Sequence, residues 1–190
     1  MCTVLVKDSL LVSKAVALRF ILRMTGKIEL KWGAFIGVAN LVWLYAAFYL
    51  GMRDSGLRLI QLSALSGTVI SVIGYFLALR EVHRAAPEAN SVESMRSGAV
   101  ICGITTAIAV IAQVGYLRLI HPEYTHYVVG EINQYYEESG HSEEVIAKIV
   151  EGAQKTYGFS SCLLQAGLGA FLTGILSTFI FVVLRIRLRR

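Results

Sequence analysis

Cutting the chain at every Asp, Glu, Lys and Arg leaves four long uncharged pieces: Trp32 to Met52, Leu59 to Leu79, Ser97 to Leu117 and Thr156 to Leu184. The first three are 21 residues each and the fourth is 29. At about 1.5 Å of rise per residue, such a helix reaches roughly 30 Å, the thickness of a bilayer's hydrocarbon core. Four buried helices of this kind would need a soluble core far larger than 190 residues can wrap. The pattern therefore predicts an all-α integral membrane four-helix bundle, with spans at about 32–52, 59–79, 97–117 and 160–184.

Composition agrees. Charged residues make up 16% and apolar ones 55%, against roughly 25% and 45–50% in soluble domains, and the mean hydropathy is +0.60. Both prolines, Pro87 and Pro122, fall between the windows, where they remove no hydrogen bond that lipid would leave unsatisfied. The net charge of +5 is explained by its geography. Thirteen Lys and Arg residues flank the ends that share a side with both termini, from Lys7 to Lys31, Arg80 to Arg96 and Arg185 to Arg190, and five flank the other side. By the positive-inside rule both termini are expected in the cytoplasm, in a multi-pass protein of the cytoplasmic (inner) membrane. Basic ends of this kind are topology signals and lipid-headgroup contacts, and no nucleic-acid partner is expected.

The segment 1–27 fits no cleavable signal, because Lys7, Lys14, Arg19 and Arg23 break every apolar run. Its part before Met24 reads as non-native sequence upstream of a start at Met24, with an interfacial basic helix as the alternative. Met52 to Arg58 is short, so the first two spans form an antiparallel hairpin. Ser91, with Glu93 and Ser94 after it, suggests a capped start of the third helix before the apolar window begins. The link 121–159 is the one large polar element. Tyr124, Tyr127, Val128, Ile132, Tyr135 and Tyr136 recur at helical spacing, Ser139-Gly140 breaks the pattern, and Ser142 looks like the N-cap of a second helix striped by Val145, Ile146, Ile149, Val150 and Ala153. From His121 to Ser160 there are seven glutamates against Lys148 and Lys155, a net charge of −5. An acidic helical hairpin outside the membrane is expected.

Chemistry is sparse. No window contains a His, Asp or Glu to serve as base or nucleophile partner, so no catalytic residue is assigned and no enzyme is expected. Cys2, Cys102 and Cys162 lack metal spacing, and His83, His121, His126 and His141 lack helical zinc pairing, so neither metal nor cofactor is expected. Small residues recur every four positions: Gly33 and Gly37; Ser63, Gly67 and Ser71; Ala166, Ala170 and Gly174. They let helix backbones approach closely, inside one bundle in preference to a homo-oligomer. Hydroxyls in the spans are expected to bond to their own helices. Asn40 and Gln113 differ, because a carboxamide within a span needs a partner or a polar ligand.

Ser66-Gly67 through Gly74-Tyr75-Phe76 to Arg80, Ser94-Met95-Arg96-Ser97-Gly98, His121-Pro122-Glu123-Tyr124 and the Gly-rich stretch from Gly167 to Gly174 together resemble an uncharacterised bacterial membrane family, domain-of-unknown-function family 4199. The resemblance covers about Ile28 to Arg187 and implies a small integral protein of the cytoplasmic membrane. It brings no catalytic residue with it. The expectation is a non-enzymatic component, surrounded by lipid, that docks a membrane or periplasmic protein through Tyr124, Tyr127, Tyr135, Tyr136, Val145 and Ile149 of the hairpin. The alternative is an oligomeric small transporter or channel.

Overall fold

A computed structural model describes residues 26–52, 57–87 and 90–188. The segment before Met24 and part of the short link between Met52 and Arg58 lie outside the described residues, which are mostly helical and contain no strand. Four long helices, α1 (Lys27–Tyr49), α2 (Leu57–Ala85), α3 (Ser91–Gly115) and α6 (Phe159–Leu188), alternate in direction as a bundle. Each is long and apolar enough to cross a membrane. Between α3 and α6 stand α4 (Tyr124–Glu138) and α5 (Glu143–Thr156), packed on each other as a hairpin. In the bundle α3 packs most extensively on α6 and on α1, α2 touches α1 and α6, and α1 and α6 sit diagonally.

The helix ends follow from local chemistry. Two stop the same way: Gly51 and Gly140 take φ of 70° and 74°, and each is followed by a residue whose amide closes back on the helix, Met52 N–H on Ala47 O at 3.0 Å and His141 N–H on Tyr136 O at 3.2 Å. Only glycine reaches that left-handed conformation at little cost. At the start of α3 the cap differs from the one expected. Asn90, not Ser91, accepts from Glu93 N at 2.9 Å, while Glu93 Oε2 accepts from Asn90 N at 2.9 Å. An asparagine in place of Ser or Thr completes the reciprocal box, and the acid stands three residues on from it, not from Ser91. Ser142 occupies the N-cap position of α5, yet its side chain makes no capping bond.

Away from the hairpin the bundle is dense because glycines meet bulky partners. A Cβ on Gly33 would lie 2.8 Å from Ile104 Cβ, one on Gly37 2.8 Å from Ile108 Cβ, and one on Gly74 2.7 Å from Ile36 Cγ1. Gly98 sits directly against Thr178. Absent side chains bring the axes together, and in lipid that close packing is a main source of helix association. Tyr75, Ala78, Leu79, Ile101 and Cys102 are fully buried in this half. At its rim Glu81 accepts from Lys31 Nζ at 2.6 Å and from Trp32 Nε1 at 2.7 Å, tying α2 to α1 where the apolar window ends.

Candidate functional site

The hairpin does not stand free of the bundle. After Gly115 the third helix widens into a π-turn, Tyr116–Ile120, closed by His121 N–H on Tyr116 O at 2.8 Å. Such turns displace the residues that follow. Tyr116 and Leu117 become buried, and with Tyr124, Val128, Ile132, Ala153 and Cys162 they form one apolar cluster onto which Leu44, Phe48 and Ile60 of the bundle pack. His121 lies inside an aromatic ring, with centroids 5.5 Å from Phe48, 5.6 Å from Tyr124 and 5.9 Å from Tyr127. Thr125 Oγ1 donates to Tyr157 O at 2.8 Å, linking α4 to the chain that enters α6.

This junction redistributes the surface residues named from the sequence. Tyr124 is only 4% exposed and belongs to the cluster, whereas Tyr127, Tyr136 and Ile149 are half-buried against it. Tyr135 is 59% exposed and Val145 41% exposed. Both sit beside the Ser139–Gly140 turn, and Glu137, Glu138, Glu143 and Glu144 around them are exposed. Lys148 and Lys155 are already engaged by Glu144 and Glu151 one helical turn earlier, each at 2.7 Å. The tip is therefore an acidic surface with one large aromatic anchor.

Beneath the junction a half-open cavity of about 450 Å³ is lined by all four spans. Small residues leave part of its space open: Gly67, Ala109, Ala112, Ala166, Gly169 and Ala170 lie in the lining beside Trp43, Leu44 and Ile60. Ala166 and Ala170 thus line open volume, while Gly174, one turn further, is filled by Tyr75 Oη and Cys102 Sγ at 2.5 and 2.6 Å from where its Cβ would be. Asn40 hangs into the cavity with Nδ2 donating to Ile36 O and to Ser71 Oγ, both at 2.9 Å, and Trp43 Nε1 donates to Ser63 O at 2.8 Å. Gln113 is also in the lining, joined by Gln61 and Gln165, two further carboxamides. Their convergence depends on helix rotation, which a span with almost uniform hydropathy does not reveal.

Most hydroxyls in the spans return to their own helices: Ser63 to Ile60 O at 2.7 Å, Ser66 to Leu62 O at 2.9 Å and Ser71 to Gly67 O at 3.1 Å. Thr105 instead crosses to Gly33 O of α1 at 3.2 Å. Cys102 and Cys162 are buried free thiols. Among the described residues no three His, Cys, Asp or Glu side chains gather as metal ligands would.

Four apolar spans, a dense half sealed by glycine contacts and a polar half capped by a soluble-type hairpin define a small multi-pass integral membrane protein. The family model described as "Protein of unknown function (DUF4199)" matches residues 31–185, so the chain belongs to that family. No curated protein and no solved structure matches it.

Proposed function

We propose that this protein is a non-enzymatic component of the cytoplasmic membrane, with both termini cytoplasmic, that docks a basic partner protein through the tip of its hairpin on the outer side. The supporting observation is that the hairpin turns its apolar stripes onto itself and onto the bundle, leaving Tyr135 exposed among Glu137, Glu138, Glu143 and Glu144. An aromatic anchor ringed by like charges has the composition of a recognition surface, since Tyr is favoured at energetic centres of interfaces and the charges steer an opposite surface. The aromatic junction holds that surface in a fixed position above the membrane.

Replacing 138–144 with a neutral linker tests this reading. The four spans should stay folded, because each satisfies its own backbone in lipid. Photo-cross-links from position 135 to a partner in native membranes should disappear, and in the unaltered protein they should weaken as salt is raised across the Debye range. Cross-links that survive both changes would exclude the tip as the docking surface. The cavity favours a second reading, an oligomeric small transporter, for which Asn40 and Gln113 would line the path. Solute flux abolished by Asn40→Leu in reconstituted vesicles would favour it over docking.

A further inference from the structure

The cavity has a chemistry that hairpin docking leaves unused. Its lining contains carboxamides, hydroxyls and small apolar side chains, and no Asp, Glu, Lys, Arg or His. A charged occupant would lose its hydration without gaining a counter-ion, a large cost in lipid. Uncharged groups that accept or donate hydrogen bonds are matched. Asn40 uses its amide hydrogens on Ile36 O and Ser71 Oγ, so Oδ1 remains as an acceptor. The carboxamide of Gln113, on the facing helix, makes no side-chain hydrogen bond among the described residues. The volume of about 450 Å³ lies in the range of roughly 300–1,000 Å³ typical of small-molecule sites.

The route in is lateral. The ring contacts that close α2 on α6, Phe76 on Phe181 and His83 on Phe181, lie in the dense half. In the other half Gln61, Ala64 and Thr68 of α2 and Gln165 and Gly169 of α6 line the cavity and are also exposed, so the mouth opens between these helices. Leu65 and Leu168 flank it at 61% and 51% exposure, on surface that faces lipid. Towards the hairpin, Tyr124 and Tyr157 stand over the cavity. Molecules dissolved in the bilayer meet this opening directly.

We propose that the cavity is a binding site for an uncharged, membrane-dissolved molecule with an apolar body and a carbonyl or hydroxyl head, which enters between α2 and α6 and hydrogen-bonds to Gln113 and Asn40. The assignment is independent of hairpin docking. A natural reporter is in place: Trp43 lines the cavity, while Trp32, the other of two tryptophans, bonds to Glu81 at the opposite end.

The full chain carrying Trp32→Phe, in phosphatidylcholine nanodiscs, is titrated with decylubiquinone, whose quinone ring quenches indole fluorescence. Saturable quenching of Trp43 is expected. Gly169→Phe should remove the saturable phase by filling the mouth, and a Cβ there meets nothing within 4 Å, so folding is retained. Gln113→Leu should raise the half-saturation point about tenfold, equivalent to about 1.4 kcal/mol and in the range of one or two hydrogen bonds. Decyl sulfate, a charged amphiphile of the same chain length, should not compete. Quenching that rises linearly and equally in the Gly169→Phe protein would show mere partitioning and overturn the site. Competition by decyl sulfate would overturn its restriction to uncharged molecules.

Discussion

Gly174→Leu should destabilise the bundle by about 3 kcal/mol, the upper end of what overpacking costs, measured as the shift in unfolding when SDS is titrated into mixed micelles. The Cβ alone would lie 2.5 Å from Tyr75 Oη and 2.6 Å from Cys102 Sγ. Neither neighbour has anywhere to move, because both are fully buried where α2, α3 and α6 meet. Leucine adds three further carbons to a space that cannot take one, so α6 must shift away from α3, its most extensive contact. Gly103→Leu is the matched control. Position 103 is exposed and a Cβ there meets nothing within 4 Å, so that substitution should be neutral or slightly stabilising through the better helix propensity of leucine. Equal stability of the two variants would mean that the helices are not held at the close approach described.

Tyr124→Ala should release the hairpin from the bundle. The ring is 4% exposed and packs edge-on against Tyr116, with centroids 5.9 Å apart, and against His121 at 5.6 Å. Truncating a buried aromatic of this size costs about 3–5 kcal/mol. That cost falls on a local element, so the expected result is hairpin opening with the spans intact. Trypsin should then cut after Lys148 and Lys155 much faster than in the unaltered protein, while the transmembrane fragments keep their mass. Tyr135→Ala, at an exposed ring, should leave the cleavage rate unchanged. A wild-type rate in Tyr124→Ala would show that the junction does not anchor the hairpin.

The spans were legible because lipid imposes a coarse rule, and the uncharged windows follow it. Helix α2 nevertheless continues to Ala85 and α3 begins at Ser91, both beyond their windows. Those extensions carry Glu81, Arg84 and Glu93, which an uncharged window omits by construction. The hairpin was legible from its 3.6-residue stripes and from Gly140. Its docking onto the bundle was not, because the π-turn at Tyr116–Ile120 sits within an unremarkable Tyr-Leu-Arg-Leu-Ile run. In the same way Gly174 and Ala170 share one small-residue row, yet the first is filled by Tyr75 and the second borders empty space. Spacing identifies residues that permit close approach, and only the partner helix determines whether the space is taken.

Everything proposed for the tip depends on its lying across the membrane from both termini, the arrangement proposed from four spans and the thirteen-to-five distribution of basic residues. The direct measurement uses a background in which Cys2, Cys102 and Cys162 are replaced by serine or alanine and a single cysteine is introduced by Gly140→Cys or by Arg190→Cys. Sealed right-side-out membrane vesicles are treated with a membrane-impermeant maleimide before and after permeabilisation. The cysteine at 140 should label at once and the one at 190 only after permeabilisation. Labelling of both from the same side would contradict the four-span arrangement, and the reverse pattern would place the acidic tip in the cytoplasm and contradict the proposed docking from outside.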